Sequence, residues 1–147
     1  MGGLYYTSQT TFPIIGTKSG TTRTAVALTD AYDVTNKTKI FETGGFPSLN
    51  LDCLYTMGAS ETTNSIELRV SCSPDRINFY RLPNESISAG TSTLTAREFT
   101  FVGANAAAAT ISLSLDISYK YIEVSVKETG VATNFGTIYI EGTLSGK

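Results

Sequence analysis

The chain has 147 residues, 41% of them hydrophobic and 16% charged, which is enough for one buried core and too little for two. Its net charge is −2 and its eleven Lys and Arg are scattered singly, so no basic stripe exists to neutralise phosphates and a nucleic-acid partner is not expected. Histidine is absent, which removes the usual base near neutral pH, the commonest metal ligand and the activating partner of a Ser or Cys nucleophile; catalysis, a cofactor and a metal are all unexpected.

The N-terminal MGGLYYTSQT lacks a charged region followed by an apolar one. No apolar run approaches the roughly 20 residues that cross a bilayer, so neither export by that route nor a membrane span is expected. Gly2 stands where a myristoylation signal has it, but Tyr6 stands where that signal needs Ser or Thr. Leu4, Tyr5 and Tyr6, then Phe12, Pro13, Ile14 and Ile15, are apolar groups set among Thr, Ser and Gln, and a polar connector follows from Gly16 to Thr22. Residues 1–20 therefore read as an extended arm and residues 21–147 as one domain. An arm left in water would not carry so many large apolar side chains. It either packs on its own domain or docks on a partner, and these seven residues are the expected anchors in the second case.

From Leu49 onward apolar residues fall on alternate positions, the period of a strand with one buried face. Leu49, Leu51, Cys53 and Tyr55 share one phase; Ile66, Leu68, Val70 and Cys72 share the next. Ile111 to Ile117, Ile122 to Val126, and Ile138 with Ile140 complete the series. Turn-prone clusters separate them at Met57–Ser60, Pro83–Ser86, Ser88–Thr91 and Thr129–Val131. Helical periodicity is missing, and only Gly103 to Ala109, with its alanines, suggests a helical turn or a loop. The expected fold is all-β, an antiparallel β-sandwich of about eight strands, with jelly-roll connectivity as one candidate and a closed barrel as the alternative.

The most crowded stretch is SCSPDRINFYRL, residues 71–82. Ser71 and Cys72 end a strand, Pro74 fixes φ without donating a hydrogen bond, and Asp75 accepts bonds from nearby amides, so Pro74 and Asp75 read as structural turn residues with Ile77 to Leu82 as the return strand. Ser73, Asp75 and Phe79 resemble the aspartate-box hairpin of sialidases and related sugar-processing proteins, a folding element, with Ile77 where that motif has Gly and without its closing Trp. Cys53 and Cys72 lie in the inward phase and read as buried thiols. Glu67, Asp116 and Glu123 fall on solvent phases, so no glycosidase-like pair stands out. The eight tyrosines keep sugar binding without catalysis as a second class of function. The Asn36 and Asn84 sequons arise readily in so Ser- and Thr-rich a chain.

Three stretches together carry a family resemblance: GGFPSLNLDCLYTMG, SCSPDRINFYRL and ISYKYIEVSVKETGVATNFGTIYIEGTLSG. Over residues 44–147 the chain resembles small β-sandwich virion proteins encoded among the structural genes of tailed bacteriophages. The shared pattern is a strand after Gly-Phe-Pro, a Ser-x-Asp-x-x-Asn-aromatic hairpin, and a Tyr-Lys-Tyr-Ile strand leading through Asn-Phe-Gly to a closing strand. The resemblance implies a non-enzymatic structural protein located in the virion and assembled in the host cytoplasm. Its partners would be other virion proteins, either the major capsid protein for a decoration (cement) protein or tail and neck proteins, together with its own copies. The outward Ser112, Ser114 and Asp116 exemplify the flat, weakly charged faces that such a role could use.

Overall fold

In the computed structural model the described residues are 9–32, 36–81, 83–96, 98–102 and 108–146. They form antiparallel strands throughout. The first group is β1 (Gln9–Ile15), β2 (Thr17–Ser19), β3 (Thr22–Thr24), β4 (Val26–Ala27), β5 (Thr38–Glu42), β6 (Ser48–Thr56) and β7 (Ser65–Ser73). The second is β8 (Tyr80–Arg81), β9 (Pro83–Ser88), β10 (Thr91–Ala96), β11 (Glu98–Val102), β12 (Ala108–Asp116), β13 (Tyr121–Thr129) and β14 (Thr137–Ser145). One main sheet has the order β1-β14-β6-β12, with β4 also on β14; the other has β11-β7-β13-β5, with β8 also on β7.

The alternation read from the sequence is what joins the two sheets. Leu49, Leu51, Cys53 and Tyr55 of β6 face Ile66, Leu68, Val70 and Cys72 of β7 and Ile122, Val124 and Val126 of β13 in a single buried cluster. Two antiparallel sheets packed on one apolar layer make a β-sandwich. β14 is buried on both faces, because the β2–β3 hairpin covers its outer side and brings Tyr139 to 2% exposure.

The arm expected over residues 1–20 is corrected for its described part. Gln9 to Pro13 pair in register with Ser145 to Glu141 of β14, making β1 an integral edge strand. The register shifts by one residue between Pro13 and Ile15, so Ile14 and Ile15 both reach the core, at 4% and 1% exposure. An edge bulge suits Pro13, which has no N–H to give the ladder. Phe12 is half-buried and meets Phe41 edge to face at 5.0 Å. The apolar run therefore belongs to its own domain, and Phe12, Ile14 and Ile15 are not free partner anchors. Leu4, Tyr5 and Tyr6 lie outside the described residues.

Two further expectations change. Pro83 to Ser86 is not a turn but most of β9, with Pro83 at the first strand position, where a missing N–H is tolerated. Ala108 and Ala109 open β12 rather than a helical turn, paired with Thr56 and Tyr55; residues 103–107 lie outside the described set. β9 pairs only with β10 among the described strands, while β8 and β11 both pair with β7.

Candidate interaction surfaces

The turn after β7 is built by two short side chains. Ser73, fully buried, accepts the N–H groups of Arg76 at 2.9 Å and Asp75 at 3.3 Å on its Oγ, and its hydroxyl donates to Asp75 Oδ1 at 3.0 Å. Asp75 Oδ1 accepts the amides of Ile77 and Asn78 at 2.9 and 2.8 Å, and its Oδ2 accepts Asn78 Nδ2 at 2.7 Å. These donors, the Asn78 amide first, hold the Asp75 carboxyl well below the usual carboxylate range. Arg76 takes φ of 65°, the left-handed region, and Pro74 leads into it. With the Ile77 and Asn78 amides committed to Asp75, the return strand begins later than the sequence suggests, at Tyr80 rather than Ile77. Ile77 is left 80% exposed and Tyr80 59% exposed.

The loops before β6 and β13 flank this turn. Tyr121 opens β13 and lies between Ser73 of β7 and Glu42 of β5, so the 74–79 turn, the 43–47 loop and the 117–120 loop share one end of the sandwich. Thr43 ties the two loops together: its amide donates to the Lys120 carbonyl at 2.8 Å and its hydroxyl to the Tyr119 carbonyl at 2.9 Å. Between them runs a groove of ≈ 390 Å³ lined by Thr43, Phe46, Pro47, Ile117, Tyr119 and Lys120, among others. Tyr119 is exposed, and Lys120 lies 3.6 Å from Glu42 and 5.3 Å from the centre of the Tyr121 ring. Hydrogen bonding to Tyr121, then the charges of Tyr121 and Glu42, raise the Lys120 amine above its ordinary value.

The outer face of the β1-β14-β6-β12 sheet is a polar ladder. Asn50 Nδ2 donates to Asp52 and to Ser112, both at 3.2 Å, while Ser114 donates to Asn50 Oδ1 at 2.6 Å. Ser112, Ser114 and Asp116 are exposed, as their phase suggests. Beside them Glu141 sits opposite Asp52 on the neighbouring strand. Lys18 and Arg23 of the β2–β3 hairpin reach Glu141 at 2.8 and 3.2 Å. The Lys18 bond is the first cause that draws the Glu141 carboxyl below its ordinary value. Glu141 thus latches the hairpin with both oxygens occupied, which leaves it poorly placed for acid–base work.

The opposite end holds two buried acids that the sequence reading passed over. Glu61 accepts the amides of Ala132, Thr133 and Asn134 at 2.9, 2.7 and 2.8 Å, and the Ala132 bond leads in lowering its pKa. Glu128, fully buried, accepts the Tyr55 hydroxyl, Asn64 Nδ2 at 3.1 Å and the Gly136 amide at 2.7 Å. The signal for Glu128 was its parity, since it continues the inward phase of Ile122, Val124 and Val126. Glu61 had no such signal, because it lies in a loop. Cys53 and Cys72 are free, buried thiols; burial first, then the Asp52 charge, pushes Cys53 up to about 12, and burial raises Cys72 as well. Among the described residues no three His, Cys, Asp or Glu side chains are grouped to hold a metal, and no helix is long and apolar enough to cross a membrane.

Comparison with known proteins adds one likeness. No protein-family model matches the chain, and no curated protein matches it in sequence. Among solved structures, the SPBc2 prophage-derived protein YomS is similar to it with a TM-score of 0.52 and 12% sequence identity, over 99% of this chain and 100% of that one. At that identity the likeness is one of fold: the two proteins share an all-β architecture from end to end.

Proposed function

We propose that this chain is a non-enzymatic structural protein of a tailed-bacteriophage particle, bound to the shell of the major capsid protein as a decoration protein. The observation that carries the reading is the end-to-end fold likeness to a prophage-derived protein, which covers both chains almost completely. It agrees with the resemblance of residues 44–147 to phage virion proteins. Strand order supports it too: taking β8 and β11 as one strand, the eight body strands fall as 1-8-3-6 in one sheet and 2-7-4-5 in the other, a jelly roll, the architecture of many viral capsid domains. The acids offer no contrary chemistry, since Glu61, Glu128 and Glu141 are each held by donors of the fold itself.

The polar ladder of Asn50, Ser112 and Ser114 is the surface we assign to the shell, because its uncharged amide and hydroxyl groups cost little to desolvate when they find new partners. Quantitative mass mapping of purified particles tests the proposal. A copy number close to that of the major capsid protein is the expected result. A few copies per particle would move the protein to the tail, neck or fibre attachment, and its absence from particles would refute the virion role.

A further inference from the structure

We infer that the end of the sandwich bearing the Ser73–Asn78 turn is a self-complementary interface, and that its partner is a second copy of this chain. Among the described residues, three of the four large apolar side chains that are exposed, Ile77, Tyr80 and Tyr119, sit at this end. Ile77 is 80% exposed at the tip of a turn whose amides are fixed by Ser73 and Asp75, so it is a rigid knob that loses little freedom on docking. An apolar groove lined by Phe46, Pro47, Ile117 and Tyr119 lies at the same end, on the far side of Tyr121. Knob and groove are separated by two strand spacings, about 10 Å. A single chain cannot put its own knob into that groove without breaking the β7–β13–β5 ladder. A twofold axis between them does so twice at once, each Ile77 entering the other copy's groove, which is the reciprocal arrangement of an isologous dimer.

Charge fits the same pairing. The tip carries Arg76 beside the Asp75 carboxylate, which keeps its charge while it accepts the turn's own amides. Glu42 and Lys120, 3.6 Å apart and both exposed, stand at the groove, so that across the twofold Arg76 would meet Glu42 and Asp75 would meet Lys120 of the other copy. Arg and Tyr beside a protruding aliphatic group are the composition of interface centres. This dimer does not depend on where in a particle the protein sits.

The test is sedimentation of the full chain over a dilution series, with a cross-linking arm. Wild type is expected to dimerise, and Ile77→Asp to raise the dissociation constant by about tenfold or more while melting at the wild-type temperature. Because both native thiols are buried, cysteines introduced singly at Ile77 and at Ser118 would be the accessible ones. An equimolar mixture of Ile77→Cys and Ser118→Cys proteins is expected to give a mixed disulfide-linked dimer in preference to either self-linked form, a result that holds even if Ile77→Asp should misfold. Wild type that stays monomeric at the highest concentration, an Ile77→Asp protein that dimerises as well as wild type, or a mixture without preference for the mixed dimer would each overturn the inference.

Discussion

Replacing Tyr55 by Phe removes one oxygen from the interior and leaves the ring in place. That oxygen donates from β6 in one sheet to Glu128 on β13 in the other, with both side chains fully buried. A hydrogen bond to a charged acceptor is worth about 1.5–3 kcal/mol net. Phe also saves the desolvation of a hydroxyl, and Glu128 keeps Asn64 and the Gly136 amide as donors, so the lower half of that range applies, about 2 kcal/mol. With an unfolding entropy of about 2.1 cal/mol/K per residue, a chain of 147 residues has about 310 cal/mol/K, and the loss corresponds to about 6 °C in Tm. Urea unfolding followed by circular dichroism gives the free energy directly, and an unchanged slope shows that the same surface is exposed. Glu128→Gln is expected to cost more, because its amide must point an N–H at either the Tyr55 and Asn64 donors or the Gly136 amide. Combining the two substitutions should cost less than their sum, since both act on one bond. A Tyr55→Phe protein within about 0.5 kcal/mol of wild type, or strict additivity with Glu128→Gln, would refute the idea that this bond ties the sheets together.

Gly136→Ala places a Cβ 2.2 Å from the Thr56 carbonyl oxygen and 2.9 Å from the Tyr55 ring, so backbone must move and stability should fall by about 1–3 kcal/mol; an unchanged melt would show that the loop shifts freely. The folded-state pKa values of Glu61, Asp75 and Glu141 are all lowered, so the unfolded chain takes up protons first as pH drops. Stability should hold from neutral pH down to the ordinary carboxyl values of 4.5 and 3.8, then decline steadily below them, and a flat profile from pH 5 to about 2 would contradict the hydrogen-bonded carboxylates. Neither Cys53 nor Cys72 should react with an aromatic disulfide reagent at pH 8 until denaturant is added, after which both should titrate; rapid labelling of the native protein would place a thiol at the surface.

The long strands were legible because their burial alternates: β6 runs half-buried, buried, half-buried along its length, and β7 begins the same way. β2 and β3 were not, since all six of their residues are exposed and leave no period. The placement of Phe12 to Ile15 was undetermined for a different reason. Apolar residues in an arm and in an edge strand look alike, and what decides between them is a pairing with β14, far away in the chain. The sequence reads Pro74 and Asp75 as a turn, yet how far Asp75 delays the next strand, and so exposes Ile77, depends on which amides it captures. Glu128 shows the reverse case: its parity with Ile122, Val124 and Val126 was a signal left unused, and a lone acid among apolar neighbours says nothing of the hydroxyl, amide and backbone N–H that receive it.

The way β8 and β11 share β7 has a consequence for how this gene can change. Arg81 lies opposite Ser71 and Glu98 opposite Arg69, so a strand continued through residue 82 would reach Val70 and then meet Glu98 in step. Residues 83–97 are thus an excursion that leaves one strand and re-enters it without a change of register. Excising that segment, or exchanging it for another hairpin or a foreign peptide, asks nothing of the pairing on either side. It is the natural splice point of the molecule, where a tag or epitope can be carried with the sandwich left as it is.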